Sequence, residues 1–578
     1  MYDYVIVGGG SAGSVLAARL TEDPDTRVLL LEAGPPDDGP EIAMPAAATT
    51  LWQGPFAWDD ATVPQPHAAD RRIHWPRGRT LGGSSSINGM VYVRGNPFDY
   101  DTWRDAYGCH GWGYADLLPY FRKAEDQQRG PSAFHGVGGP LRVEDPRYTH
   151  PVSHAWVEAA TAAGLATSDD FNAATQDGVG FYQATQRDGR RWSTADGYLR
   201  PALRRANLTV ATGALATRVL IEGGRAVGVR YLRDGGEREA HAGREVILSG
   251  GAVNSPQLLL LSGIGPADQL RKLGVQVLVD APAVGSGLQD HPTCFLVWRT
   301  PTVPNLWEEP TPENLALWRR VRRGPMASSG LEAGGFARSR PGLPAPDLQL
   351  AVAGAPPPLP ELGPPTQRMA SMIVWALGIT SRGRVALRST DPAAAPLIDP
   401  GYLADEADLE VLVAGVRLAR QIAAQAPLAR VFAGEDAPGE QVRDDRQLRA
   451  WIRANVTTIF HPTSTCAMGG SAQAVCDPEL RVVDASVLPA TPRGNTNAPT
   501  IAVAERAADL ICGNTPLSED RRMPAMATSW SRRYPMRSPE SRGRPSSVFL
   551  SLMEARASCL RTLPTNRSRT TRSPLSAR

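Results

Sequence analysis

Five positions carry most of the chemistry legible in this chain. Gly8, Gly10 and Gly13 fall in G-x-G-x-x-G spacing, Glu32 follows nineteen residues after Gly13, and His461 sits in a run of small polar residues. In such a fingerprint the first glycine permits a tight turn, the second lets backbone approach a pyrophosphate, and the third lets helix pack on strand. Ser11 and Ala12 open the helix, whose free N–H groups and positive dipole end suit phosphate. Glu32 is placed to accept hydrogen bonds from a ribose diol. Together these predict a bound dinucleotide. Gly9–Gly13 also reads G-x-S-x-G, the nucleophile elbow of a hydrolase. That elbow needs a sheet and an oxyanion loop upstream, which the ten residues before Ser11 do not supply. His461 has an imidazole suited to proton transfer near neutrality, and Pro462 keeps it out of regular helix. From residue type alone a hydrogen-bonded core histidine is the favoured reading. His150 and His154 have i, i+4 spacing, but Pro151 lies between them and no third ligand is near, so no metal is expected.

The elements that must hold these groups follow from the pattern. Residues 2–7 and 27–31 read as buried strands flanking a helix from Ser11 to Leu20. An excursion with Trp52, Trp58 and Trp75 leads to Arg77–Gly89, a loop of small residues suited to lying against a flat ligand. Strands are expected at 208–210, 218–221, 227–231 and 246–249, with hairpin turns at Gly223–Gly224 and Asp234–Gly235. A helix should start near Asn254 and run to Leu261. Between proline clusters at 341–346 and 356–365, residues 347–352, 371–377 and 384–388 read as strands of a second sheet, backed by a helix from Ala407 to Ala424. Glu332, Trp307 and Trp375 are candidates to line a cavity there, though a structural role is the first expectation for each. The expected fold class is α/β, a Rossmann-like dinucleotide domain with an inserted substrate domain on an antiparallel sheet. The segments are 1–150, 196–295 and 456–514 for the first domain, 151–195 and 296–455 for the second, and 515–578 as a disordered basic tail.

The net charge of +2 hides an asymmetry. Residues 516–578 carry thirteen Arg against Glu519, Asp520, Glu540 and Glu554, which leaves the rest mildly acidic and unlike a nucleic-acid surface. Six cysteines without C-x-x-C spacing suggest reduced thiols and a cytoplasmic location. No apolar run reaches the ~18 residues of a membrane helix, so at most peripheral contact with an inner membrane is expected.

Several motifs together resemble one family. The N-terminal fingerprint, Gly82-Gly83-Ser84-Ser85-Ser86-Ile87-Asn88, Gly251–Gly265, Gly287–Pro292, and His461-Pro462 with Asn495–Thr500 resemble, in family order, the glucose–methanol–choline (GMC) FAD oxidoreductases. Within that family the match is nearest choline dehydrogenases and bacterial aliphatic alcohol dehydrogenases. The resemblance implies FAD-dependent oxidation of a primary alcohol, choline-like or aliphatic, with oxygen or a quinone-type carrier taking the electrons. Its rivals are a hydroxynitrile lyase of the same fold and a flavin-binding protein with impaired catalysis. It implies FAD contacts at Gly8, Gly10, Ser11, Ala12, Gly13, Glu32, Ala33, Arg79, Gly82, Gly83, Ser84, Asn88, Gly89, Met90, Val91, Val219, Gly250, Asp484, Ala485, Asn495 and Thr496. It makes His461 the base and Asn497 the group opposite it. Ile87 stands where some choline-oxidising relatives carry a flavin-linked histidine, so the FAD should be non-covalent. Cys476–Ser486 lacks a hairpin-like piece usual in relatives, shortening the link from His461 to Asn497.

Overall fold

The computed structural model describes residues 1–357, 366–471, 474–478 and 481–517. The basic tail from 518 onward and most of the second proline cluster lie outside the described residues.

A six-stranded sheet forms the first layer. Its strands are β1 (Tyr2–Val7), β2 (Val28–Leu31), β3 (Leu208–Ala211), β4 (Leu215–Glu222), β5 (Arg225–Arg233) and β6 (Gly236–Leu248), in spatial order β3-β2-β1-β6-β5-β4. β1, β2 and β3 run parallel, as do β1 and β6; β4, β5 and β6 form an antiparallel meander turning at Gly223–Gly224 and Asp234–Gly235. The register sets Val7 beside both Leu31 and Leu248, so the carboxyl ends of the central strands finish level. Ligands of open α/β sheets bind at that edge. Helix α1 (Ser11–Leu20) lies on this sheet with Val15 and Leu16 fully buried, each contributing roughly 1.5–3 kcal/mol. α2 (Gly251–Leu261) leaves the end of β6, its apolar Leu258–Leu260 pinning it to the core.

The second layer is an antiparallel sheet. β7 (Pro292–Arg299), β8 (Ala333–Ala337), β9 (Leu348–Ala353) and β10 (Met369–Ala376) stand in the order β7-β10-β9-β8, flanked by Glu435–Ala437 beside β7 and Gly178–Phe181 beside β8. α3 (Glu406–Ala423) covers one face through Leu409, Leu412, Val416 and Ala419. Residues 383–386 do not continue this sheet. They pair instead with Ser286–Leu288 and Leu397–Asp399 in a separate three-stranded sheet.

α4 (Asn497–Cys512) returns to the first layer, its residues Ile501–Ala504 buried against α1. Arg19 of α1 reaches Glu505 of α4 with two nitrogens, at 2.9 and 2.7 Å, and Tyr198 donates to the same carboxylate at 2.8 Å. The shortened Cys476–Ser486 connection still delivers its strand. Val482 bridges Leu248 in parallel, and the Val483 amide donates to the Leu248 carbonyl at 2.8 Å.

Candidate active site

A deep cavity follows the carboxyl edge of the first sheet. Its first stretch is the glycine turn. Gly8 has φ +103°, and a Cβ there would lie 2.3 Å from the Ser249 carbonyl oxygen. A Cβ on Gly13 would lie 1.9 Å from the Gly8 carbonyl, so Gly13 packs the helix rather than lining the cavity. Gly10 does line it, and Gly83 crosses so close that a Cβ would stand 2.7 Å from the Gly10 Cα. Gly82 supports the turn from behind, its amide donating to the Gly9 carbonyl at 2.7 Å. Glu32 lies in the wall, with one carboxylate oxygen taking the Gly9 amide and the other the Gly34 amide, each at 2.8 Å. Burial holds its carboxyl up at about 7. Each oxygen keeps a second lone pair for a ligand hydroxyl.

Three helix N-termini open onto this cavity. Ser11 starts α1, Gly251 starts α2 and Asn497 starts α4. Asp484 caps the second, its carboxylate taking the Gly251 amide at 2.8 Å and the Ser255 hydroxyl at 2.5 Å. Gly250, Ala485 and Thr496 lie beside them. The loop of small residues supplies Ser84, Asn88, Gly89, Met90 and Val91 to the opposite wall. It is anchored by Arg191, which sequence reasoning missed. This fully buried guanidinium, lowered by burial to about 9, donates to the Asn88 carbonyl at 2.7 Å and the Asn88 side-chain oxygen at 2.8 Å.

At the far end stands His461, buried, where two distant segments meet. Pro292 and Thr293 pair with Thr458 and Thr457, and Gln289 pairs with Thr463. Between these ties the chain bulges, and the His461 amide donates to Asp290 at 2.6 Å. Thr458, Tyr402 and that amide saturate the Asp290 carboxylate. The His461 ring has its Nδ1 3.0 Å from His291 Nδ1 and its Nε2 3.2 Å from the Asn495 amide nitrogen. Burial, then the Arg77 cation, push His461 down to about 3; burial, then His461, push His291 well below the usual histidine range. Both rings are therefore neutral at ordinary pH.

Three expectations need correction. Asn495, not Asn497, faces His461; Asn497 accepts from Ser11 Oγ at 2.8 Å, tying the starts of α4 and α1. Asn495 lies in the loop before α4 and Asn497 at the helix start, and it is the Asn495 amide that meets the imidazole. Val219 does not reach the cavity, because it lies well along β4, where its amide donates to Ser262 Oγ at 2.8 Å. Ala214–Ala216, at the strand's start, line the wall instead. Arg79 also stays out of the lining, with its guanidinium 4.7 Å from the Trp58 ring centroid. Glu332, Trp307 and Trp375, for which a structural role was the first expectation, do not form the wall: Glu332 accepts from Ser153 and Ser328, Trp307 is exposed, and Trp375 donates to Gln349 at 3.0 Å. Their neighbour Leu331 does line it, with Trp52, Ile87, Ile459 and Phe460. Among the described residues no group of His, Cys, Asp and Glu is arranged to hold a metal.

Residues 2–293 and 380–504 match the N- and C-terminal family models of the GMC oxidoreductases. The chain belongs to the GMC oxidoreductase family. It is 45% identical over 547 residues to mitochondrial choline dehydrogenase of Mus musculus, covering 90% of this chain and 91% of that one. It is 43% identical over 535 residues to alcohol dehydrogenase (acceptor) of Pseudomonas putida, covering 88% and 96%. Oxygen-dependent choline dehydrogenase of Sinorhizobium fredii is 40% identical over 558 residues, covering 92% and 99%. Among solved structures, pyridoxine 4-oxidase from Mesorbium loti superposes with TM-score 0.81 at 34% identity, over 89% of this GMC chain and all of its own. A formate oxidase gives TM-score 0.81 at 28% identity, over 89% and 98%.

Proposed function

We propose that this GMC protein oxidises a small neutral alcohol to the carbonyl compound with non-covalent FAD as its cofactor. The observation that carries the reading is a neutral imidazole, His461, and a side-chain amide, Asn495, meeting at the end of a dinucleotide-shaped cavity. The residues present fit FAD: a glycine turn and helix start for the pyrophosphate, Glu32 for a ribose, and small residues at 83–89 against a flat ring. Ile87 offers no nucleophile for a covalent link. When bound, FAD supplies the two-electron acceptor for the carbinol hydride. His461 Nε2 takes the hydroxyl proton, and Asn495 donates to the alcohol oxygen as its charge grows. His291 keeps a lone pair on Nδ1 for the imidazolium that results. The electrons pass on to oxygen or a quinone-type carrier.

The wall around His461 argues for an uncharged substrate. Among the described residues its ionisable members are Glu32, Arg77, Asp484 and His461. Glu32 and Asp484 are spent on backbone amides and hydroxyls, while the cation Arg77 stands near His461 and donates to the Phe460 carbonyl at 3.0 Å. Trp52 and Phe460 have centroids 4.8 Å apart, packed on one another rather than parted around a cation. An aromatic face is worth about 0.5–2 kcal/mol to an ammonium, and among the described residues no carboxylate of this wall is free to pair with one, since the acids beside Arg77, Asp290 and Asp60, face its guanidinium. The test compares choline with 3,3-dimethylbutan-1-ol, which has the same shape without the charge. Anaerobic flavin bleaching should favour the neutral alcohol at least tenfold in kcat/KM. Preference for choline sinks the substrate class and leaves the oxidoreductase reading intact. Absence of bleaching by any alcohol, while dithionite bleaches, sinks both.

We place the protein in the cytoplasm, a reading supported by five free cysteines among the described residues. No described helix is long and apolar enough to cross a membrane.

A further inference from the structure

The proposed function leaves open how Asn495 is made to present nitrogen, rather than oxygen, to the base. We infer that Trp375 and Gln349, neither of which touches the cavity, are positioning residues that fix this orientation and with it the tautomer of His461. The inference rests on the proposed function only for its consequence on rate.

The argument follows the donors. An indole N–H can only donate, and Trp375 Nε1 lies 3.0 Å from Gln349 Oε1. That contact settles which end of the Gln349 amide is oxygen. Its nitrogen must then face the other way, toward Tyr182 Oη at 3.3 Å and Asn495 Oδ1 at 3.4 Å. With its oxygen accepting from Gln349, Asn495 turns its nitrogen to His461 Nε2 at 3.2 Å. Nε2 therefore accepts, and the ring proton sits on Nδ1, where His291 Nδ1 receives it at 3.0 Å. One donor-only group thus determines four amide and imidazole orientations in succession. Gln349 and Trp375 are directly opposite on β9 and β10, on the same face, and both are buried. Water has no access to scramble the order. An alcohol that displaces the Asn495–His461 contact then meets the Nε2 lone pair with its proton and the Asn495 N–H with its oxygen.

Gln349→Glu is the informative variant. A carboxylate still accepts from Trp375 but offers only acceptors to Asn495, so the Asn495 amide turns over and presents oxygen to Nε2. Alcohol-driven flavin reduction should fall by about 10²–10³-fold, the worth of one lost donor to a developing oxyanion, with KM changed little. The nearby carboxylate also favours the imidazolium, so an acid limb absent from the wild-type profile between pH 5 and 7 should appear. Trp375→Phe, which keeps the ring and removes only the N–H, should lose roughly tenfold in kcat. Tyr182→Phe should match wild type. Wild-type rate and pH profile in Gln349→Glu would overturn the inference. So would equal losses in Gln349→Glu and Gln349→Leu with the wild-type profile, since that is the mark of packing alone. Should Gln349→Glu fail to fold, Trp375→Phe at full kcat overturns it as well. Nitrogen-15 histidine spectra decide the tautomer without turnover: Nδ1–H on His461 supports the assignment and Nε2–H overturns it. That measurement stands even if no alcohol reduces the flavin, in which case the proposed function has failed and the orientation has not.

Discussion

Burial and the Arg77 cation hold the His461 imidazole at about 3, so the base is unprotonated across the whole working range and its rate should be flat on the acid side down to about pH 5. Replacing it by Ala should slow flavin reduction roughly 10²–10⁴-fold, measured by stopped-flow bleaching, with flavin content unchanged because the phosphates and ribose are held elsewhere. Asn495→Ala should cost about 10²–10³-fold. Asn497→Ala should leave the reduction rate within a few-fold and instead loosen the cofactor, read as a higher FAD dissociation constant. Equal rate losses in the two Asn variants would contradict the geometry. His461 was legible through the family motif it stands in; residue type alone does not separate it from His150 and His291, which also precede proline. The choice between Asn495 and Asn497 was not. Both lie in one motif, and only the start of α4 decides which amide turns inward.

Among elements, the join between α1 and α4 is held by an acid deep in apolar surroundings. Glu505 is fully buried, facing Arg19, Lys123 and the Tyr198 hydroxyl. Removing one partner of such a pair strands the other. Glu505→Ala should lower stability by roughly 3–5 kcal/mol and release flavin on warming before the wild type does, followed by flavin fluorescence. A melting temperature equal to wild type would show that the pair is decorative. The strands and α1 were readable from period and glycine spacing, since each depends on neighbours in sequence. The 383–386 strand was assigned to the wrong sheet because its partners, Ser286–Leu288 and Leu397–Asp399, are distant or short and leave no local mark. Arg191 escaped notice for a similar reason: apart from the Asn88 side chain its contacts are backbone carbonyls at Ile42, Ser85 and Asn88, which any sequence provides.

At the scale of the whole molecule, buried neutral histidines make acid a destabilising condition. The unfolded chain takes up protons on His461 and His291 below about pH 6.5, whereas the folded chain does not until His461 reaches about 3. Stability is thus full above the unfolded value and drains as pH falls through that window. His461→Gln lacks this uptake at one site. Thermal melts from pH 7 to 4 should show the gap between wild type and variant shifting in the variant's favour as pH falls; a constant gap would refute the assignment. The two sheets themselves were foreseen from the alternation of period and proline. What sequence alone left hidden is that Gln289–Thr293 runs beside Thr457–Thr463, a contact between segments far apart in the chain.

Trp375 has a practical meaning for anyone reshaping the pocket. Large aromatic side chains behind a substrate chamber are the usual targets when room is wanted for a bulkier guest. Here the indole belongs to the reaction's wiring, and Leu331, an aliphatic side chain in the wall with no hydrogen bond to lose, is the place to carve. A library built on Leu331, Ile459 and Trp52 enlarges the chamber and spares the acid–base pair; one built on Trp375 trades turnover for volume.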